Sequence, residues 1–180
     1  MLGSCRGATC GSPEPTADPP SARLPQGAPM AAAFVAYLHF LSIFALFALL
    51  SVEHVLFKAP LDLRRARSLM LTDLAYGICA VLVLATGVAR VLWFGKGVAY
   101  YMGNGLFHAK VGLFVLVGLL SILPTVVFIK WRGAVKAGQV PEPSPRQVTL
   151  VTWSIRLELL LLLAIPLLAA LMARGYGMIG

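Results

Sequence analysis

The stretch Met30–His54, MAAAFVAYLHFLSIFALFALLSVEH, decides the fold of this chain. It runs for more than twenty residues without a charged side chain, holds one interior imidazole at His39, and closes on Glu53 and His54. A bilayer's hydrocarbon core is roughly 30 Å thick, and a helix rises about 1.5 Å per residue. The stretch therefore predicts a membrane-spanning helix. An ionisable ring at that depth must face into the protein and find a partner there.

Composition places the whole chain in the membrane class. Of its 180 residues, 59% are hydrophobic and only 12% are charged, whereas soluble domains are about a quarter charged. The net charge of +8 arises from basic residues between apolar runs, where they set orientation and meet anionic headgroups. We therefore expect the lipid bilayer, and no nucleic acid, as a partner.

Three more apolar runs follow the first, and together they predict an all-α membrane protein, a four-transmembrane-helix bundle of up-down-up-down topology. The predicted helices cover about residues 30–54, 69–93, 105–130 and 149–173. Residues 30–180 form this transmembrane domain. Residues 1–29 are rich in Pro and Gly and lack an apolar run, so they are interpreted as a disordered tail or as an incorrectly assigned start before Met30.

The basic residues predict an orientation. The first loop holds four Lys and Arg residues and the third holds four more, counting Lys130 at its start, whereas the second loop holds only Lys96, with Arg90 just inside the preceding helix. Basic loops stay in the cytoplasm. Both termini and the second loop are therefore predicted on the outer side.

Two histidines are predicted at one depth in the outer half of the bundle. His39 lies early in the first span and His108 early in the third. Imidazoles on two facing helices could ligate the iron of a b-type haem. In the alternative interpretation, each ring only bonds to backbone carbonyls or to Ser42. The cations predicted near haem propionates are Arg90, Lys110 and Arg174.

A second polar layer is predicted nearer the cytoplasmic side. Its members form an alternative inner site, a carboxylate and histidine metal site or a proton relay. In the alternative, purely structural interpretation, these acids form ion pairs at helix ends, with Arg156 as their basic partner. The four residues of this inner site are Glu53, His54, Asp73 and Glu158.

Several segments resemble a bacterial family of predicted inner-membrane proteins called domain of unknown function 2214. They are LHFLSIFALFALLSVEHVLFK, RSLMLTDLAYG, LFHAKVGLFVL and LMARGYG. The resemblance covers about residues 30–180 and implies a multi-pass protein of the bacterial inner membrane. It implies no particular activity.

A more remote resemblance links the chain to J-type protoporphyrinogen oxidase. It rests on the LH that opens the first span and on the HxK in Phe107–Lys110. The resemblance implies that His39 and His108 correspond to two key helix histidines, Lys110 to the lysine of the motif, and haem to the cofactor. The chain departs from that family at residues 45–48, ALFA, and at Asp73.

Three hypotheses follow. The first is a haem-binding redox or porphyrin-handling protein, working with a membrane redox partner or as a homo-oligomer. The second is a metal or proton site in a transport or stress-response protein. The third is a non-enzymatic helper of another membrane complex. The sequence contains no phosphate loop, nucleotide fingerprint or Ser/His/Asp set, so soluble-enzyme chemistries have no support.

Overall fold

A computed structural model describes residues 27–58, 60–95 and 97–178. Four long helices dominate this part, and each is long and apolar enough to cross a membrane. The all-α fold with four spans is thereby confirmed. The five α-helices are α1 (Gly27–Lys58), α2 (Leu63–Ala89), α3 (Val98–Met102), α4 (Gly105–Lys136) and α5 (Pro145–Ala173). Of residues 1–29, only Gly27–Pro29 are described, so the prediction for that tail lies otherwise outside the described residues.

The long helices form a closed ring of neighbours. Helix α1 packs on α2 and α5, and α4 packs on the same two helices. Within the described ranges, the backbones of α1 and α4 do not approach each other, and the two helices meet through side chains, as where Phe57 of α1 stacks on Trp131 of α4 with ring centres 6.3 Å apart. They therefore stand diagonally across the bundle, and a side chain from either helix reaches the other only through the centre.

Helix α2 ends in an irregular turn. Residues Arg90–Phe94 continue it as a π-helix, which Gly95 ends in an extended conformation. π-helical turns are rare and are frequent at functional sites, because the wider turn changes which side chains face inward. Arg90 is the first residue of this turn.

Capping residues extend the helices beyond their predicted bounds. The side chain of Asp62 accepts a hydrogen bond from the backbone N–H of Arg65 at the start of α2, 2.7 Å away. Ser144 and Gln147 form a reciprocal capping box at the start of α5. Caps satisfy the backbone donors that a helix start leaves free. The spans can therefore continue into the polar loops, where hydropathy alone predicts an end.

The core is apolar and the outer surface is also apolar. Leu46 and Leu50 of α1, Phe128 of α4 and Ile155 of α5 are at most 1% exposed. Large hydrophobic side chains such as Phe44 are mostly exposed on the outside of the bundle. A soluble protein rarely exposes so much apolar surface, so this outer face fits contact with lipid chains.

The two ends of the bundle differ. At one end, called here the α3 end, the fully buried Asn104 donates from Nδ2 to the carbonyl of Tyr176, 3.1 Å away. The N–H of Gly105 donates to the carbonyl of Gly177 over 2.8 Å. These bonds fasten the C-terminal segment to the start of α4. The opposite end carries the α1–α2 and α4–α5 loops.

Candidate functional site

Glu53 is the most unusual buried residue of the described chain. Only 1% of it is exposed, and neither Oε1 nor Oε2 has a hydrogen-bond partner among the described residues. Helix α1 places it one and a half turns before Lys58, on the face that carries the buried Leu46 and Leu50. An unpaired carboxylate in an apolar interior costs several kcal/mol. Such a group requires either a proton or a bound cation.

Glu158 of α5 lies fully buried in the same interior, but it has partners. Tyr76 donates its hydroxyl to Oε2 over 3.2 Å, and Ser154 Oγ lies 3.3 Å from Oε1. The Ser154 hydroxyl also lies 2.9 Å from the carbonyl of Leu120, which can only accept. A hydroxyl has a single proton to donate. With that proton on the Leu120 carbonyl, the Ser154–Glu158 contact is a hydrogen bond only if Oε1 of Glu158 carries a proton.

Asp73 completes the acidic group. It accepts a hydrogen bond from Oγ1 of Thr125 on α4, 2.7 Å away. Glu53 interacts electrostatically with both Asp73 and Glu158. All four long helices thus contribute to one polar interior, which we call the carboxyl cluster: Glu53, Asp73, Tyr76, Thr125, Ser154 and Glu158.

The ion-pair interpretation of this layer finds no support among the described residues. Arg156 is exposed, and its guanidinium lies over the ring of Trp153 at 5.6 Å. Residues two positions apart lie on nearly opposite faces of a helix. Arg156 therefore turns outward while Glu158 turns inward. The acids of the cluster therefore have no neutralising side chain in the described part.

His54 does not join the cluster in the way the sequence indicated. It is half-buried and interacts electrostatically with Arg156 and Lys58, near the end of α1. Within the described ranges, no set of three or more His, Cys, Asp or Glu side chains is arranged to hold a metal ion. The geometry thus gives the metal version of the inner site no support.

His39 lies near the α3 end, packed against α2. Its Nδ1 is 2.9 Å from Oγ1 of Thr86, and that hydroxyl donates to the carbonyl of Leu82 over 2.6 Å. Because the Thr86 proton is already used, Nδ1 of His39 is the donor in its bond. Its Nε2 therefore keeps a lone pair. Gly87 leaves room for the ring: a Cβ there would lie 3.3 Å from Cε1 of His39.

Two cations accompany His39. Arg90 and Lys110 are both half-buried, and His39 interacts electrostatically with each. The Arg90 guanidinium lies 5.3 Å from the centre of the Phe40 ring, and the Lys110 ammonium lies 5.5 Å from that of Phe107. Helix α4 thus turns Lys110, rather than His108, toward His39.

His108 is at the same end but is exposed. Its Nδ1 donates to the carbonyl of Asn104 over 3.0 Å, one turn earlier on its own helix. This is the backbone bond that the alternative interpretation expected. Arg174 is an exposed residue that ends α5 and has no side-chain contact with the other predicted residues in the described part.

Three residues of the carboxyl cluster were not predicted from the sequence, although the sequence contained a signal for two of them. Tyr76 follows Asp73 by three positions, and Ser154 precedes Glu158 by four. Residues at these spacings share one helix face. Polar residues on the face of an acid, inside an otherwise apolar run, would have indicated Tyr76 and Ser154. Thr125 gave no comparable signal, because its partner comes from another helix.

Comparison with known proteins adds a family. A family model described as "Predicted membrane protein (DUF2214)" matches residues 31–177, which is most of the chain. The chain belongs to this family. No curated protein and no solved structure matches this DUF2214 protein. The resemblance to J-type protoporphyrinogen oxidase therefore finds no support in these comparisons.

Proposed function

We propose that this DUF2214 protein takes up and releases protons at the carboxyl cluster, as part of proton-coupled transport across the bacterial inner membrane. The observation that carries the proposal is Glu53, 1% exposed and without a hydrogen-bond partner for either oxygen in the described chain. Ionisable groups within the membrane are expensive and commonly mark proton relays or ion pathways. A structural carboxyl group would have a partner.

A proton suits the cluster better than a metal ion. A divalent metal needs several donors converging on one point, and the described residues offer no such set. A proton needs a single oxygen, and it removes the charge that burial penalises. Glu53 and Glu158 are two such acceptors within electrostatic range of each other.

The hydrogen bonds of Glu158 supply a second proton position. Tyr76 can donate to one oxygen while the other oxygen faces Ser154. The two acids therefore differ: Glu158 is held by hydroxyl groups, whereas Glu53 is held by packing alone. In this proposal Glu53 exchanges its proton, and Glu158 receives that proton when it is ionised. Before the transfer Glu158 accepts from Tyr76 as a carboxylate; afterwards its Oε1–H donates to Ser154.

Orientation is part of the proposal. Lys58, Arg64 and Arg67 are exposed at the end nearer to Glu53, and the positive-inside rule then assigns this end to the cytoplasm and both termini to the periplasm. The carboxyl cluster would open first toward the cytoplasm. Reporter fusions at Gly138 in the α4–α5 loop and at the C-terminus test this assignment.

Labelling with a hydrophobic carbodiimide tests the protonated state, because this reagent modifies protonated carboxyl groups within lipid. We expect a mass increase on the peptide that contains Glu53 in protein reconstituted into liposomes. The label should disappear in Glu53→Gln and persist in Glu142→Gln, which changes an exposed loop acid. Labelling of Glu142 alone would contradict the proposal.

Proton movement is measured in the same liposomes with a trapped pH-sensitive dye and an imposed potential. Wild type and Glu142→Gln should carry protons at equal rates, and Glu53→Gln should slow the flux at least about tenfold, the loss expected when a relay group is removed. Equal flux in all three, or flux no greater than in empty liposomes, would exclude proton transport and favour the helper hypothesis.

Haem b at His39 is a second candidate, favoured by the tautomer of this ring. Its Nδ1–H is held by Thr86, which leaves the lone pair on Nε2, and a protein prepares an axial ligand in this way. His108 has the same tautomer but is exposed on a face of α4 turned from Lys110. The residues thus fit one axial ligand rather than a facing pair. A Soret band lost in His39→Ala and kept in His108→Ala would support this candidate.

A further inference from the structure

The α3 end of the bundle interior contains positive charge without a counter-charge. The two cations are Arg90 at the end of α2 and Lys110 of α4; they accompany the His39 ring of α1, and all three residues are half-buried. Arg90 follows Thr86, the hydrogen-bond partner of His39, by one turn of α2, and its guanidinium covers the ring of Phe40 beside His39. Lys110 lies within electrostatic range of both Arg90 and His39. Like charges that share a partly desolvated site repel one another.

No acid within the described ranges can neutralise this group. The described acids number five, and Asp62 and Glu142 lie in loops at the opposite end. The other three are in the carboxyl cluster. Glu53 lies fourteen residues after His39 on α1, a separation of about 21 Å along the helix. The cations therefore cannot pair with any described carboxylate.

The donors of the two cations are also free for a ligand. A guanidinium has five N–H donors and an ammonium has three. Among the described residues, the side chains of Arg90 and Lys110 form no hydrogen bond or ion pair, and their charged groups lie over the rings of Phe40 and Phe107. A ring face attracts a cation but accepts no conventional hydrogen bond. The donors can therefore bind an acceptor from outside the chain.

The local backbone places Arg90 in this position. It is the first residue of the π-helical turn that ends α2. Helix α4 begins at Gly105 and brings Lys110 to the same depth after little more than one turn. Membrane helices end at the level of lipid headgroups, where basic pockets between helices bind phosphates. Arginine and lysine on separate elements suit a phosphate group, which has several acceptor oxygens.

We propose that Arg90 and Lys110, with His39 beside them, bind the phosphate group of a ligand at the α3 end of the bundle. The phosphate belongs either to an anionic lipid headgroup or to a soluble phosphate that enters from the membrane surface. This site is independent of the carboxyl cluster. It holds even if the proton proposal fails, because the two share no residue.

Native mass spectrometry of the full chain in a neutral detergent tests the site. The probes are short-chain phosphatidylglycerol, short-chain phosphatidylcholine and inorganic phosphate. We expect phosphatidylglycerol to bind more tightly than phosphatidylcholine. Arg90→Gln/Lys110→Gln should weaken the binding of phosphatidylglycerol at least about tenfold, because it removes the charge-assisted hydrogen bonds to the phosphate. Arg90→Lys should retain part of the affinity.

Arg132→Gln/Lys136→Gln is the matched control, because it removes the same charge from exposed positions at the other end of α4. It should change the affinity less than about threefold, as expected for surface charges. Competition by inorganic phosphate would assign the site to a soluble phosphate, and failure to compete would assign it to lipid. An equal loss in both double variants would overturn the proposal. A Soret band in the wild-type protein that Arg90→Gln/Lys110→Gln abolishes and the control variant keeps would also overturn it, because the cations would then serve haem rather than a phosphate.

Discussion

Replacing each of the two buried glutamates by leucine should change stability in opposite directions. Glu53 has no hydrogen-bond partner in the described chain, so its burial includes a desolvation penalty that nothing offsets. Such a penalty amounts to about 1–3 kcal/mol. Leucine has a similar size and no polar atoms, so Glu53→Leu should raise the free energy of unfolding by about that amount.

Glu158→Leu should have the reverse effect. Tyr76 is 4% exposed, and Glu158 is its hydrogen-bond acceptor. Removing the acceptor leaves a buried hydroxyl donor unpaired, which costs about 1–3 kcal/mol. The two variants should therefore differ by about 2–6 kcal/mol, although both replace a fully buried glutamate by the same apolar residue.

Unfolding in mixed micelles, with an increasing fraction of dodecyl sulfate and followed by circular dichroism, measures this difference. Glu142→Leu, at an exposed loop position, should stay within about 0.5 kcal/mol of wild type. If Glu53→Leu folds and is destabilised by more than about 1 kcal/mol, Glu53 has a stabilising partner. The case for its functional role would then fail. If Glu53→Leu is more stable than wild type but loses proton flux, Glu53 is retained for function at the expense of stability.

The remaining predictions concern the α3 end and use the same unfolding assay. Asn104→Ala removes both a helix cap and the bond to the C-terminal segment, so it should cost about 2 kcal/mol, against about 1 kcal/mol for Asp62→Ala, which removes a cap alone. Equal losses would show that the C-terminal segment is not held. Gly118→Ala, with open space around it, should gain up to about 1 kcal/mol of helix propensity. Gly87→Ala should gain less or lose stability, because its Cβ would press on His39; an equal gain would mean that the ring moves freely.

The four spans were predictable because they depend on a local property. A helix in lipid satisfies its own backbone hydrogen bonds, so length and hydropathy decide whether a segment crosses. Met30–His54 was enough to define the class of protein. The helix ends were less predictable, because the caps at Asp62 and Ser144 lie in polar loops. A hydropathy scale does not record that a serine side chain accepts a hydrogen bond from a backbone N–H and so begins a helix.

The orientation of α4 shows where the sequence alone was insufficient. His108 and Lys110 lie on nearly opposite faces of one helix, and only packing decides which face turns inward. The sequence predicted His108 at the site because His108 lies at the same depth as His39, with Lys110 among the cations near the propionates. The structure buries half of Lys110 and exposes His108. A lysine can be so placed because its apolar stem packs inside while its ammonium reaches toward the surface.

The separation of acids from bases along the bundle gives the interior two unneutralised regions. An arginine several turns closer to Glu53 along the bundle, on a face turned toward it, could pair with that acid, and both residues would then be structural. Instead Arg90 and Glu53 belong to regions about 21 Å apart. At that distance, and at an effective dielectric constant near 20, two unit charges interact by about 0.8 kcal/mol. The field alone would therefore change proton binding about fourfold when an anion binds. Any larger coupling between the two sites would require the helices to move.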